Sequence, residues 1–390
     1  MRPVRWLYAV AMLIGCRSTD SGPTTQVIAY AGDTAIEAGT TVISHRADGS
    51  LIDQQATDGA GHAAVGYEAG AYITVLYTRD TGVQLITAPA LAIGTLVIHG
   101  PTPTRAPILA GTLVITAVPI AADAYSIDLG CIALPEPALP MYTGINAHCL
   151  GHDPNIDVVV EATNGGALVG YVATRVRVDT GVGTLDIPSW TTTPIELPIQ
   201  NAPGASITLF EVSDGFAYAT PAATAASAFA WDGLIVETTR VRAVLGTPAA
   251  SQITTQYLAG LPTSIALTAA EFLPAPTTAL GFDGASRFAW TAFGIGDVTH
   301  LHASWTTTTW DAVLDPTTAA IAIPQLGADL GVTTPGSDLA TNLRAIDGPD
   351  TLSFAEVQAA GIYVEATAGA SIVPPPVVGD VREASVVGFH

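Results

Sequence analysis

Residues 172–178, VATRVRV, constrain the chain more than any other stretch: Val172, Thr174, Val176 and Val178 alternate with Ala173, Arg175 and Arg177. A period of two puts alternate side chains on opposite faces of an extended strand, here valines toward a core and arginines toward water. Residues 71–77, AYITVLY, are β-branched and aromatic, and shorter runs of the same kind occur at 27–30, 41–44, 96–98, 113–116, 157–161, 207–212, 234–245 and 362–366. Gly, Pro, Asp or Asn separates these runs, which breaks helices and marks turns. With 38 Gly, 27 Pro and 49% hydrophobic residues, the chain is too punctuated for a helical bundle and too apolar for disorder. The expected fold is all-β, with two or three antiparallel β-sandwich domains in tandem. One short helix is expected near the C-terminus, where Ser353-Phe354-Ala355-Glu356 has the form of a capping box and Gly361 can end the turns that follow. Residues 217–230 are low-complexity Ala/Thr sequence that fits a loop or a loosely formed helix.

Charge removes whole classes of function. All 13 basic residues are arginine, so a lysine nucleophile, Schiff base or phosphate-cradling lysine is excluded. Against 34 acidic residues they leave a net charge of -21. Such a chain has no basic footprint for nucleic acid and is disfavoured at an anionic membrane face.

The first residues carry an address. Arg2 and Arg5 precede nine consecutive apolar residues, 6–14, which is too short a run to span a bilayer. A basic start and a short apolar core are the parts of a secretory signal peptide, residues 1–15. The closing tetrapeptide Leu13-Ile14-Gly15-Cys16 resembles the lipobox of bacterial lipoproteins. That resemblance implies that Cys16 is acylated and becomes the new N-terminus, so the protein meets the membrane through a lipid anchor. In that family an aspartate after the cysteine retains the protein in the inner membrane; Arg17 stands there, which implies the outer membrane, with a periplasmic or surface-exposed body. Removing residues 1–15 takes two arginines and no acids, so the mature charge is 11 minus 34, or -23. Residues 16–26 read as a lipidated flexible tether. The long uncharged stretch 106–122 contains Pro107, Gly111, Thr112, Thr116 and Pro119, and reads as two strand pieces and a turn instead of a membrane helix.

Two further cysteines, Cys131 and Cys149, enclose 17 residues rich in Pro and Gly. In an oxidising compartment they are expected to form one disulfide, closing a loop worth about 3 kcal/mol in the chain-entropy model. Two buried free thiols, or a metal site with His148 and His152, are the alternatives.

From residue 26 to about 100 the order is a strand, Ala38-Gly39-Thr40-Thr41-Val42, then Asp48-Gly49, then Thr57-Asp58-Gly59-Ala60-Gly61, then Gly70-Ala71-Tyr72-Ile73-Thr74-Val75. This resembles the carboxypeptidase regulatory-like domain, a transthyretin-type sandwich, and implies a non-catalytic accessory or spacer at 27–105. The Asp-Gly pairs are expected to supply the positive-φ positions of tight strand connections. The run Pro101-Thr102-Pro103-Thr104-Arg105-Ala106-Pro107 reads as an extended linker. A second sandwich carrying the disulfide loop is assigned to 106–246, and a C-terminal β-rich domain to 247–390, whose general pattern resembles uncharacterised β-rich bacterial lipoproteins. Thr-Arg-Val-Arg recurs at an offset of 65 and Ser-Trp-Thr-Thr-Thr at 115, so no simple repeat is present.

Chemistry-bearing constellations are few. His148 and His152 have the spacing of a helical zinc pair, but Gly151 and Pro154 oppose a helix and no glutamate lies between them. Asp297, His300 and His302 form a sharper group, because residues two apart on a strand share a face and can both ligate a metal. No third ligand with an open position follows from spacing, so no catalytic residue, metal or cofactor is assigned. No G-x-S-x-G and no Gly-rich phosphate loop with a following helix occurs. Trp190, Trp231, Trp290, Trp305 and Trp310 could stack on sugar rings or fill a core. Three expectations follow. The first is a non-enzymatic envelope scaffold or adhesion/binding module, the second a glycan-binding accessory protein, and the third an envelope hydrolase or metalloenzyme using His300 and His302. The expected partners are the membrane, through the lipid anchor, and an envelope glycan or protein, and the sequence sets no oligomeric state.

Overall fold

A computed structural model describes residues 22–32, 35–79, 82–100, 109–129, 133–136, 141–146, 155–178, 182–192, 195–200, 204–213, 216–219, 223–224, 228–231, 238–247, 250–260, 264–274, 280–326, 330–348, 353–363 and 379–389. The fold is all-β, as the punctuated, alternating sequence requires.

The first strands are β1 (Thr24–Ala31), β2 (Ala35–Ile36), β3 (Thr41–His45), β4 (Leu51–Ala56), β5 (His62–Gly66), β6 (Tyr72–Arg79), β7 (Gly82–Pro89) and β8 (Thr95–Gly100). β4-β3-β6-β7 form one sheet face, and β2-β1-β8 with β5 the other. Their inner faces close on one core, with Val27, Ala29, Val65, Leu96 and Ile98 opposite Val42, Ile73, Val75, Tyr77 and Ile86. The Asp48-Gly49 turn takes a positive φ at Gly49, as expected; at the next turn the positive φ falls on Gly61 and not on Gly59. Asp58 explains the shift, since its Oδ1 accepts the N–H groups of Ala60 and His62 and leaves Gly61 to reverse the chain.

A second unit follows with β9 (Leu109–Ala117), β10 (Ala124–Asp128), β11 (Ala133–Glu136), β12 (Met141–Asn146), β13 (Asn155–Asn164), β14 (Ala167–Arg177) and β15 (Val182–Ile187). Sheets β11-β10-β13-β14 and β12-β9-β15 enclose Leu113, Ile115, Ile127, Val158, Val160, Val176 and Ile187. Over the second half of β14 the alternation behaves as read, with Val176 buried and Arg175 and Arg177 exposed, whereas Val172, Ala173 and Thr174 are all half-buried. Where two strand pieces and a turn were expected, β9 is one strand of nine residues: Gly111 and Thr112 pair with Ile145 and Gly144, and the break is reduced to a register shift at Ile145/Asn146. Cys131 and Cys149, with His148 and His152, lie outside the described residues, as do Cys16 and the 101–107 linker.

The remaining elements are β16 (Ile195–Gln200), β17 (Ser206–Ser213), β18 (Phe216–Ala219), β19 (Ala223–Thr224), β20 (Ala228–Trp231), β21 (Thr238–Thr247), β22 (Ala250–Ala259), β23 (Ile265–Ala266), β24 (Gly281–Phe282), β25 (Arg287–Ala289), β26 (Val298–Trp305), β27 (Thr308–Leu314), β28 (Ala320–Ala322), β29 (Ala340–Asp347), α1 (Phe354–Ala360), β30 (Ile362–Tyr363) and β31 (Gly379–Phe389). The Ala/Thr stretch 217–230 contributes strand pieces β18, β19 and part of β20 instead of a helix, because β17 offers both of the first two an edge. The helix stands where the capping box placed it: Ser353 Oγ accepts the Glu356 N–H, the Glu356 carboxylate accepts from Ser353, and Gly361 ends the helix at φ 105°.

Long-range pairing organises these parts. A sheet of 13 strands runs β18-β17-β21-β22-β31-β29-β26-β27-β7-β6-β3-β4, with β19 beside β17. Its seam is the parallel pairing of β27 with β7, where Trp310 faces Leu85 and Asp311 faces Ile86. Hydrogen bonding therefore joins segments that the sequence assigns to the first and third units. The first core also takes in Val298, Val313, Ile346, Val357, Ile362 and Val381. Across the seam the other face of the sheet buries Leu85, Leu301, Trp305, Trp310 and Leu343 under Phe288, Trp290 and Ile321. Gly49 is a second point of attachment, since its carbonyl accepts the Gln325 N–H at 2.7 Å and a Cβ there would stand 2.4 Å from Ile323 O.

Candidate functional site: a buried histidine, aspartate and arginine stripe

The β26–β27 hairpin reverses through Thr306 and Thr307, with Trp305 opposite Thr308. That register sets His302 directly across from Asp311, and His300 two residues along on the same face. Asp311 Oδ1 lies 3.0 Å from His300 Nε2 and 2.8 Å from His302 Nδ1, and its Oδ2 is 3.0 Å from Gln84 Nε2 on β7. A carboxylate only accepts, so all three nitrogens donate, which sets His300 as the Nε2–H tautomer and gives His302 a proton on Nδ1.

Burial governs the charges. It alone would raise the Asp311 carboxyl, but the hydrogen bonds and positive ends supplied by His300 and His302 outweigh it and hold the group well below the usual carboxylate range. Burial lowers His300 from its ordinary value, against the opposing pull of Asp311, so this ring is neutral. The stripe continues across β29 and β31. Arg344 pairs across from His300, and its guanidinium stands 3.7 Å from Glu383, whose carboxyl is pushed up by burial against the attraction of Arg344 and Arg242. Burial likewise lowers Arg242. His300 Nδ1, Asn342 Oδ1 and Glu383 Oε2 are buried without a hydrogen-bond partner, a pattern that suits small polar guests such as ordered water.

Chemically, the unit most like a reactive one is Asp311 with His302. The side chain of His302 is 35% exposed, and Asp311 orients it so that Nε2 is left as the basic nitrogen. A general base of this kind needs a hydroxyl or water in hydrogen-bond reach, and among the described contacts no hydrogen bond ends on that atom. Asp297, grouped with the histidines by spacing, is not brought to them: it sits an odd number of residues from His300, and its carboxylate accepts the Gly348 N–H. The ring nitrogens that converge are committed to Asp311, and among the described residues no group of three His, Cys, Asp or Glu is arranged around a metal position.

Sequence reasoning found the two histidines through their period of two but missed Asp311, Gln84, Arg344 and Glu383. The available signal was modest, a charged residue inside an otherwise apolar strand, Trp310-Asp311-Ala312-Val313-Leu314. The tryptophans divide differently from a sugar-stacking surface. Trp290, Trp305 and Trp310 are core residues, Trp190 is half-buried with Nε1 donating to Val118 O, and the side chain of Trp231 lies outside the described set. At most two of the five are left for a ligand. No family model matches the sequence, and no curated protein matches it.

Proposed function

We propose that the chain is a lipid-anchored protein of the cell envelope that acts without catalysis, as a rigid β-sandwich scaffold or adhesion/binding module. The observation that carries this reading is the use made of Asp311. Its three acceptor bonds tie β7, β26 and β27 together, so the group with the most catalytic character serves as a staple across the seam of the main sheet. The basic start, short apolar core and Leu13-Ile14-Gly15-Cys16 support export and acylation at Cys16. An outer-membrane destination is supported by Arg17, and a spacer role for the first sandwich by its turn motifs, which resemble those of carboxypeptidase regulatory-like domains.

Labelled fatty-acid incorporation into the wild type and Cys16→Ala, followed by envelope fractionation and protease shaving of whole cells, tests the reading. Label that depends on Cys16 is expected, and shaving then separates a surface-exposed from a periplasmic body. Absence of label would overturn the anchor. A hydrolytic reading is favoured only by the open Nε2 of His302; turnover that vanishes in His302→Ala, with folding intact, would establish it over the scaffold.

A further inference from the structure

We infer that the loop 90–94, with Ile93 at its tip, rests on the lipid bilayer and sets which end of the molecule faces the membrane. The inference deepens the lipid-anchor reading and rests on it. Ile93 is 92% exposed, the most exposed large apolar residue among the described residues. Its loop is built to present it: Leu91 packs against the first core, Ala92 is exposed, and Gly94 takes a φ of 100° that returns the chain to β8.

The position of the tether selects the occupant. β1 begins at this same end, where Thr25 Oγ1 donates to Leu91 O at 2.9 Å, Gln26 pairs with Thr95, and the Tyr67 N–H donates to Pro23 O. Six residue steps separate Gly22 from Cys16, a reach of at most about 21 Å when fully extended. An acylated Cys16 therefore holds the start of β1 within that distance of the acyl chains, and the 90–94 loop with it.

Charge permits the contact. Residues 89–95, PALAIGT, carry none, in a chain whose mature charge is -23. On neighbouring elements Glu68 is neutralised by Arg46 at 2.7 Å, while Asp53 and Glu356 are held by the Gly66 N–H and by Ser353 and keep their charge, which a zwitterionic bilayer accommodates. Half-buried Tyr67 adds an aromatic ring of the kind that sits well at a headgroup layer. The far end of the sandwich supplies the control. Ile36 is 52% exposed but pairs with Tyr30, six residues along β1 and about 20 Å from Thr24.

The test uses the full-length acylated protein, carrying a benzophenone amino acid at position 93 or at position 36. It is reconstituted into phosphatidylethanolamine–phosphatidylcholine vesicles, irradiated and analysed by mass spectrometry for lipid adducts. Position 93 is expected to yield about tenfold more lipid adduct than position 36. Equal yields, or adducts at 93 to protein alone, would overturn the inference while leaving the anchor in place. Wild-type protein without fatty-acid label at Cys16 would remove the anchor and this inference together, so the two failures are separable.

Discussion

Trp310 Nε1 donates to Thr87 Oγ1 at 2.8 Å across the parallel seam between β27 and β7, and this bond is the first link of a chain with a single direction. Thr87 Oγ1 is 2.6 Å from Thr74 Oγ1, Thr74 Oγ1 is 2.8 Å from His45 Nε2, and His45 Nδ1 is 2.9 Å from Arg46 O. An indole N–H can only donate and a carbonyl can only accept, so both ends are set. His45 carries its proton on Nδ1, Thr74 donates to Nε2, and Thr87 donates to Thr74. Four strands are thereby joined by side chains on the face opposite Asp311.

A neutral His45 is required by this chain, and burial lowers its pKa to about 4. Its ordinary value of 6.5 applies in the unfolded chain, so the unfolded state binds the proton first on acidification. The stabilisation is complete above that value and falls as pH drops toward 4, by about 3 kcal/mol at most. His300, lowered in the same direction, contributes in the same sense. Urea unfolding of the wild type and His45→Gln at pH 7.5 and pH 4 checks this: the variant should lose distinctly less stability between them. Parallel losses in the two proteins would show that His45 is not the titrating group.

Removing the Asp311 carboxylate leaves the buried Gln84 and His300 donors, and the half-buried His302 N–H, without their acceptor. Asp311→Ala is expected to cost about 3–5 kcal/mol. Because its folded pKa is depressed, this group adds a stabilisation present above the ordinary carboxylate value and lost as pH falls below it. The measurement is equilibrium denaturation at neutral pH. A change of under about 0.5 kcal/mol, the size of an ordinary surface substitution, would sink the staple and return His302 to consideration as a reactive group.

What the sequence made legible was local. Val176 and Arg177 alternate in and out as written, and Ser353 caps the one helix, because both depend on residues within a few positions of one another. The same capping signal at Thr268-Ala269-Ala270-Glu271 went unread, and it starts a 3-10 turn there. Pairing over distance was not legible. Nothing near Thr87 in the chain announces Trp310, and nothing near Gln84 announces Asp311, because edge-to-edge complementarity between segments more than 220 residues apart has no period. The Thr306-Thr307 reversal was hidden for a different reason: tight hairpin turns are recognised by Gly or Asn, and neither is present.

The seam makes a further prediction about independence. β7 is an interior strand only because β27 covers its edge, and the first core is completed by Val313, Ile346, Val357 and Ile362. Residues 22–105 expressed alone should therefore expose a strand edge and an open core, and unfold or self-associate. A monomeric fragment with dispersed amide resonances and a cooperative melt would contradict this and restore an autonomous first domain.

Thr306 is the one non-glycine residue with positive φ among the described residues, at 46°. A β-branched side chain in that region is strained, and the Asp338 carboxylate offsets this by accepting both the Thr306 N–H and its hydroxyl. Thr306→Gly keeps the backbone bond and removes the Cβ clash but loses the exposed hydroxyl bond to Asp338, and is expected to hold or slightly raise stability, by up to about 1 kcal/mol, after the entropic cost of glycine in the unfolded chain. Asp338→Ala should destabilise, and less so in the Thr306→Gly background, where only one of the two bonds is left to lose. Denaturant midpoints for the four proteins of this cycle give the answer. If Thr306→Gly lowers the midpoint, the turn is not under strain, and the register that places His302 opposite Asp311 must be set by packing of Trp305 and Trp310 alone.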